Sequence, residues 1–269
     1  MNVMGYLACK LEIFRRKVSQ LSARRKLMRN AELWTVLQDY LRKTESTGCG
    51  YIDYACLYET VRTTKPMEIL ECGTGVSTLV IAHALMENEK ETGRSGRVTS
   101  MEEHAGWLDM SRRLLPTQYQ NYVAFELSDT IEDRYSLFRG VRYAAIPDRP
   151  YDFVFVDGPK YVSPVDGSAT FDFDYIHVLR NADKPVGCLI DKRLSTVFVL
   201  QQLLGLHKVR YSSVTGLGYV EPCSKNDLGT IATSISSRNR EEPVAGTGGG
   251  FQENSGRQSG EDQSEGPRV

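Results

Sequence analysis

The segment MEILECGTGVST, residues 67–78, decides the fold that we expect for this chain. Its apolar run MEILEC is long enough for a buried strand, and two glycines, Gly73 and Gly75, follow it. Glycines here allow a tight turn and let the backbone approach a ligand closely, while the next helix aims its first N–H groups at the same point. The segment therefore predicts a ligand site, and the residues around it narrow the choice of ligand.

Four more apolar runs follow, separated by longer segments: RVTSM at 97–101, YVAFEL at 122–127, YDFVFV at 151–156 and VGCLI at 186–190. Short apolar runs that alternate with helical patterns are typical of a parallel sheet covered by helices on both faces. After a helix at LSTVFVLQQLL, the runs HKVRYSSV and GYVEP predict a closing antiparallel pair. We therefore expect an α/β fold, a Rossmann-like, doubly wound, mostly parallel seven-stranded sheet with an N-terminal helical extension.

The composition divides the chain into three zones. Residues 1–65 predict a helical, partly basic segment in which Asn30 caps the second helix. Residues 66–223 hold the alternating strands and helices. Residues 224–269 are rich in Gly, Ser and Glu and nearly free of large apolar side chains, which predicts a disordered tail.

Charge and cysteine content exclude several classes of protein. The formal net charge of -1 over 269 residues gives no overall basic footprint for nucleic acid. The six cysteines form no C-x-x-C pair, which indicates a reduced compartment and favours the cytoplasm. No stretch approaches the roughly 20 apolar residues of a transmembrane helix.

The glycine turn admits three ligands in principle. A phosphate-binding P-loop requires a lysine that this segment lacks, and a dinucleotide turn prefers a third small residue where Thr78 stands. The third ligand is S-adenosylmethionine, which presents a sulfonium and an amino acid instead of a pyrophosphate. Glu71, two residues before the first glycine, suits that cation and would repel a pyrophosphate. The acid favours S-adenosylmethionine.

Polar residues at the ends of the next strands extend the predicted cofactor site. The turn amides around Thr74, with the hydroxyls of Ser77 and Thr78, suit the cofactor carboxylate. Glu102 ends the second strand, where a carboxylate accepts ribose hydroxyls, and Ser128 and Asp129 follow the third, where adenine would lie. Asp157 and Lys160 follow the fourth strand and complete the candidates.

In this order, ECGTGVST, SMEEH and YDFVFVDGPK resemble a class I S-adenosylmethionine-dependent methyltransferase. The ST after the glycines and the fourth-strand Asp are similar to the small-molecule and glycan O-methyltransferases. The resemblance covers roughly residues 50–222. It implies cofactor roles for Glu71, Gly73, Gly75, Ser77, Glu102 and Asp129, and a small-molecule or glycan acceptor.

Two routes to acceptor deprotonation follow from the fourth and fifth strands. The catechol-type branch holds a divalent ion with the fourth-strand Asp and an Asp-Asn pair after strand five. This chain has Asp157 and Asp191, but Lys192 stands where that pattern has Asn, and an ammonium group cannot ligate a cation. We therefore expect no metal, with Asp157 and Asp191 as the candidates if one binds. Without metal, Asp157 acts as base and Lys160 or Lys192 lowers the pKa of the acceptor.

Structural interpretations stand beside these functional ones. Asp129 equally suits the N-cap of a helix at TIEDRYSLF, and His83 suits a packed position in a helix. The segment at 160–174, with Asp172 and Asp174, predicts a substrate lid. Two other functions stay open: a non-catalytic cofactor-binding or scaffold protein, and an NAD(P)-dependent reductase.

Overall fold

The computed structural model describes residues 3–45 and 49–229, with side chains from residue 14 onward. Seven α-helices are α1 (Val3–Met28), α2 (Ala31–Lys43), α3 (Tyr51–Thr64), α4 (Val76–Thr92), α5 (Ala105–Leu114), α6 (Asp174–Asn181) and α7 (Leu194–Leu204). Nine strands are β1 (Glu68–Cys72), β2 (Arg97–Glu102), β3 (Val123–Leu127), β4 (Thr130–Tyr135), β5 (Phe138–Tyr143), β6 (Phe153–Val156), β7 (Val186–Asp191), β8 (Val209–Ser212) and β9 (Leu217–Cys223). Short 3-10 helices lie at Thr117–Tyr122 and Lys225–Asp227.

The main sheet has seven strands in the order β3-β2-β1-β6-β7-β9-β8. The first five are parallel, and β9 runs antiparallel to both of its neighbours. Because β1, β2, β6 and β7 run parallel, their carboxyl ends share one edge of the sheet. The strand order reverses direction between β1 and β6 at that edge. Ligands of open α/β sheets bind at such an edge. The predicted doubly wound sheet and its closing antiparallel pair are confirmed.

Two apolar layers cover the faces of the sheet. One buries β1 and β2 side chains against α4 and the N-terminal helices. The other packs β6 and β7 against α6 and α7. Burial of apolar area on both faces explains why the central strands read as near-continuous apolar runs instead of alternating ones.

The N-terminal helices share the first of these layers. Leu27, Leu37 and Leu57, from α1, α2 and α3, are buried in the same cluster as Leu79 of α4. The predicted cap of α2 is confirmed, because the side chain of Asn30 accepts the N–H of Leu33 at 3.0 Å. The helical segment is therefore packed onto the sheet domain through a common core.

One predicted element is wrong. The segment TIEDRYSLF forms no helix; it contributes β4 and the start of β5, an antiparallel hairpin outside the main sheet. Tyr135 pairs with Phe138, which leaves a two-residue turn in which Ser136 takes a left-handed φ of 54°. Such turns usually carry glycine or asparagine, so the sequence lacks the usual signal for the hairpin. Asp129 consequently caps no helix and instead leads into β4.

Two further findings concern membrane-spanning helices and the predicted tail. Within residues 3–45 and 49–229, no helix is long and apolar enough to cross a membrane. The predicted tail begins with the 3-10 turn at Lys225–Asp227, and residues 230–269 lie outside the described part of the chain.

Candidate active site

The turn after β1 lies directly against the end of β6. Gly73 has a φ of +93°, and a Cβ added there would lie 3.0 Å from the carbonyl group of Asp157. A Cβ added at Gly158 would in turn lie 2.7 Å from the backbone of Gly73. Both positions therefore need glycine, because two backbone segments touch where the cleft of the site begins.

Glu71 lies beneath this turn. Its carboxyl group is fully buried, and one oxygen accepts hydrogen bonds from the hydroxyls of Thr78 and Ser100, each at 2.6 Å. Its other oxygen has no partner among the described residues. Burial raises the pKa of Glu71 to about 7, against the opposing hydrogen bonds from Ser100 and Thr78.

The turn and the start of α4 are fixed by the same hydroxyl. Thr78 Oγ1 accepts the N–H of Gly75 at 3.0 Å and lies 3.3 Å from Thr74 Oγ1. Thr78 therefore fixes the turn from the start of α4, and its predicted contact with the cofactor carboxylate stays a prediction. Ser77 is buried at the first turn of α4.

Glu102, at the end of β2, is the second buried acid of the site. One carboxylate oxygen accepts the N–H groups of Glu103 and His104 at 3.0 Å, and the other accepts the N–H of Thr74 at 3.3 Å. Burial raises its pKa, and these three backbone donors oppose the rise. The donors fix the carboxylate at the mouth of the turn, with lone pairs left for a ligand hydroxyl.

A cleft of about 420 Å³ opens between these elements. Gly73, Thr74, Glu102, Asp157 and Lys160 all line it, so the structure brings these five predicted residues together. The wall carries four carboxyl groups and two cationic side chains, from Glu45, Glu102, Glu103, Asp157, Lys160 and Arg193. An acid-rich wall suits a cationic ligand and disfavours a pyrophosphate.

The remaining predicted cofactor residues lie outside the lining of this cleft. Glu71, Ser77 and Thr78 form the buried support under the turn. Ser128 and Asp129 join β3 to the hairpin, where Ser128 Oγ accepts the N–H of Ala145 and donates to the carbonyl of Asp129. Their proposed contact with adenine stays a prediction.

A carboxyl pair stands between β6 and β7 at the edge of the cleft. Carboxyl oxygens of Asp157 and Asp191 lie within 4.8 Å of each other, and Cys49 Sγ lies 3.2 Å from Asp157 Oδ2 and 3.7 Å from Asp191 Oδ2. Burial raises the pKa of both carboxyl groups, and their mutual repulsion raises that of Asp191 further. Burial and the neighbouring acids also raise the pKa of the Cys49 thiol, so the thiol is a neutral donor.

Lys192 supplies the cation beside this pair. Its Nζ lies 2.8 Å from Asp53 Oδ2 and 3.5 Å from Asp191 Oδ1. Its backbone has a left-handed φ of 48°, and its N–H donates to the carbonyl of Gly216 at 3.1 Å. A non-glycine residue in that conformation costs about 1–3 kcal/mol, so the surrounding contacts must hold Lys192 at the end of β7.

The ability of this cluster to hold a metal depends on its donor chemistry. Ligand atoms of Cys49, Asp157 and Asp191 lie within 4.8 Å of one another. Hard ions such as Mg²⁺ and Ca²⁺ require oxygen ligands in larger number, and a neutral thiol is a poor ligand for them. The ammonium group of Lys192 adds repulsion at the same place. The cluster therefore does not fit the hard divalent ion of the catechol-type branch, and the expectation of no metal stays a prediction.

Arg193 and Trp107 line the cleft but carry no sequence signal of their own. Arg193 donates to the carbonyls of Asp157 and Pro159, and its guanidinium lies 2.6 Å from Asp172 Oδ1. It therefore fixes the loop after β6 from the end of β7.

The predicted lid at 160–174 has two distinct halves. Tyr161 and Val165 are exposed. Asp172 and Asp174 are buried, where they accept hydrogen bonds from the Thr196 hydroxyl at 2.6 Å and the Tyr143 N–H at 3.0 Å. The two acids thus anchor the second half of the segment to the sheet domain.

Comparison with known families agrees with this geometry. Residues 70–182 match the family described as Methyltransferase domain, and that range includes the ends of β1, β2 and β6. No protein with curated annotation matches the chain in sequence.

Several solved structures are similar to the chain. TomG, an O-methyltransferase from Streptomyces achromogenes, is 16% identical with a TM-score of 0.37, and the similarity covers 64% of each chain. A methyltransferase from Geobacter sulfurreducens is 14% identical, with 69% of this chain and 86% of that chain covered and a TM-score of 0.45. A methyltransferase-like protein from Silicibacter pomeroyi is 18% identical, with 72% and 95% covered and a TM-score of 0.44. These scores are low, so the assignment rests on the domain match.

Residues 70–182 of this chain therefore match a methyltransferase domain, and the sheet around them has the predicted Rossmann-like strand order. The predicted enzyme class, a methyltransferase, agrees with this match.

Proposed function

We propose that the protein transfers the methyl group of S-adenosylmethionine to an oxygen atom of a small-molecule acceptor, a class that includes glycans. The carboxyl pair of Asp157 and Asp191 carries this proposal, because it places a proton acceptor at the edge of the cofactor cleft. A hydroxyl acceptor must lose its proton during transfer, and a base works best when its pKa lies near the operating pH.

Residues of the cleft would hold the cofactor through complementary charge. Glu102 presents a fixed carboxylate for the ribose hydroxyls, and the turn amides at Gly73 and Thr74 lie beside it. Glu45 and Asp157 add negative charge for a sulfonium and an ammonium group. Glu71 contributes from below by fixing the turn through Thr78.

Bound S-adenosylmethionine supplies the methyl group, which forms a bond to the acceptor oxygen while the electron pair of the broken carbon–sulfur bond stays on sulfur. Asp157 takes the acceptor proton beside the carboxyl group of Asp191. Burial raises the pKa of Asp157 above its usual range, which makes it a stronger proton acceptor, and the cations of Arg193 and Lys192 oppose that rise. Lys160, at the rim, is the second candidate for lowering the pKa of the acceptor.

We also propose a reducing compartment such as the cytoplasm. The described cysteines Cys49, Cys56, Cys72, Cys188 and Cys223 are free thiols. Free and buried thiols are usual in reducing compartments.

A pair of measurements on Asp157→Asn tests the function. We expect the variant to bind S-adenosylhomocysteine with affinity similar to the wild type, because Asn fills the same volume. We expect its rate of methyl transfer to fall by about 10²-fold or more, as measured by mass spectrometry over a panel of hydroxyl compounds. Lys184→Gln, an exposed change far from the cleft, is the control. Transfer by Asp157→Asn at the wild-type rate would rule out the proposed base.

A further inference from the structure

A second cavity of about 740 Å³ lies on the far side of the carboxyl pair from the cofactor cleft. Arg16, Lys17 and Leu21 of α1 line it, together with Ile52 and Lys192. Its volume falls within the usual range for small-molecule sites, about 300–1,000 Å³.

The carboxyl cluster connects the two cavities. Asp157 lines the cofactor cleft, and Lys192 lines the second cavity. Cys49 and Asp191 lie between them, through contacts of 3.2 Å, 3.7 Å and 3.5 Å that run from Asp157 to the Lys192 ammonium. In-line transfer needs the acceptor on the opposite side of the methyl group from sulfur, and this cluster borders both the cofactor cleft and the second cavity.

In the described part of the chain, this cavity differs from three others in the end of the sheet that it borders. Three other cavities border Tyr151, Asp152 and Val123, at the amino ends of β6 and β3. Chemistry in an open α/β sheet occurs at the carboxyl ends. The cavity at Lys192 is therefore the one that adjoins the reacting groups.

The cationic side chains of Arg16 and Lys192 lie near the turn before β9, and the helix that carries Arg16 contacts the start of α3. A Cβ added at Gly216 would lie 3.0 Å from Arg16 Nη2 and 3.5 Å from Lys192 Cγ, so the two cationic residues meet at the turn before β9. Gln20 ties α1 to the start of α3 by accepting the N–H of Ile52 at 3.3 Å. Within the described residues, Arg16 and Lys17 have no acidic partner.

The lining therefore combines an apolar surface with cationic side chains. Leu21, which is 57% exposed, and Ile52 provide the apolar part. Arg16 and Lys17 provide the positive charge, and neither has an acidic partner among the side chains that the structure describes. This combination suits a ligand with an apolar body and an anionic group, and it gives a neutral polar sugar little to bind.

We propose that this cavity binds the methyl acceptor, and that the acceptor is a hydroxyl compound with an apolar body and an anionic group. The assignment rests on the proposed O-methyl transfer. Arg16 and Lys17 hold the anionic group, Leu21 and Ile52 cover the apolar body, and the hydroxyl points toward the carboxyl cluster. The N-terminal helix thus selects the acceptor.

Calorimetry with two matched probes tests the proposal. The probes are 6-hydroxy-2-naphthoate and its neutral methyl ester, each titrated into the full chain with and without saturating S-adenosylhomocysteine. We expect the naphthoate to bind about fivefold more tightly than the ester or better. We expect saturating S-adenosylhomocysteine to leave the naphthoate bound, since the two cavities are separate.

Two double variants remove the same charge from the same helix. In Arg16→Gln/Lys17→Gln the preference for the naphthoate should vanish, while Arg25→Gln/Arg29→Gln, whose side chains lie outside the cavity, should retain it. Leu21→Asn should weaken both probes.

Several results would overturn the assignment. They are equal affinity for the two probes in the wild type, no binding of the naphthoate, an equal loss in the control variant, or displacement of the naphthoate by S-adenosylhomocysteine. A separate titration measures the binding of S-adenosylhomocysteine alone. Failure of that compound to bind would instead overturn the proposed function.

Discussion

At the scale of single residues, Glu71 is the acid that first pointed to a cationic cofactor. The structure buries it under the glycine turn, where Thr78 and Ser100 bond one oxygen and the other has no described partner. Its direct effect is thus on the turn that forms the cleft. The acids that line the cleft itself are Glu45, Glu102, Glu103 and Asp157.

The buried carboxyl group of Glu71 predicts a pH dependence of stability. Burial raises its pKa from 4.5 to about 7, so the folded state binds a proton that the unfolded state releases. The free energy of unfolding therefore contains a contribution that is full below pH 4.5 and falls as the pH rises through 7, by up to about 3 kcal/mol. Glu71→Gln removes this contribution, so its stability should change less between pH 5 and pH 8 than that of the wild type.

Urea unfolding at several pH values measures this difference. Other buried acids titrate in both proteins, which is why the comparison between the two curves matters. The exposed change Glu126→Gln should reproduce the wild-type slope. Parallel curves for Glu71→Gln and the wild type would contradict a raised pKa at Glu71.

At the scale of elements, Arg193 connects the end of β7 to the loop that follows β6. It bonds two carbonyls of that loop and forms an ion pair with Asp172, whose pKa burial raises to about 6 against the effect of the guanidinium. The loop carries Gly158, which touches the turn after β1. Arg193 therefore positions three strand ends at once.

Removing the guanidinium should be costly. Arg193→Met leaves the carboxyl group of Asp172 buried without its partner, which predicts a loss of about 3–5 kcal/mol in the free energy of unfolding at pH 8. Arg149→Met breaks the half-exposed pair with Glu68, and the expected loss is at most about 1 kcal/mol. Urea unfolding measures both losses. Equal losses in the two variants would show that the buried pair stabilises the fold no more than the exposed pair does.

The strands and the hairpin differ in how far the sequence predicts them. Runs such as YDFVFV are apolar because both faces of β6 are buried, and this pattern identifies a central strand without further context. The β4–β5 hairpin is largely polar, lies outside the main sheet and turns at Ser136 and Leu137 without glycine or asparagine. The acidic residues of TIEDRYSLF and the apparent cap at Asp129 therefore resembled the start of a helix. Tertiary contacts, which the local sequence does not specify, decide the structure of this segment.

The residues of the candidate site likewise differ in how far the sequence predicts them. Glu102 and Asp157 were predictable because strand ends meet at one edge of a parallel sheet. Cys49 lies 108 positions from Asp157 in the sequence and meets it through the packing of α3. A single sequence contains no signal for such a contact, so the thiol and the role of Arg193 emerge from the structure alone.

At the scale of the whole molecule, two parts of the chain complete one site. The sheet contributes the cofactor cleft at the ends of β1, β2 and β6, and the N-terminal segment contributes Glu45, Cys49 and the lining of the second cavity. The carboxyl pair lies where the two parts meet. We therefore expect methyl transfer to depend on helices outside the matched domain range.

The donor set of the carboxyl cluster predicts independence from hard divalent ions. Treatment with EDTA should leave S-adenosylhomocysteine affinity and methyl transfer unchanged, and added Mg²⁺ should have no effect, because Lys192 already supplies a cation beside Asp191. Calorimetry and mass spectrometry follow the two quantities. Activity lost in EDTA and restored by a divalent ion would establish a metal at Cys49, Asp157 and Asp191.

The central claim is that the acid-rich cleft holds a cationic cofactor without a pyrophosphate. Isothermal titration of the folded wild-type chain with S-adenosylmethionine, S-adenosylhomocysteine and NADH tests it most directly. We expect saturable binding of the first two below about 1 mM, accompanied by a change in Trp107 fluorescence, and no binding of NADH in that range. Binding of NADH more tightly than S-adenosylmethionine, or no binding of either sulfur compound at millimolar concentration, would contradict it.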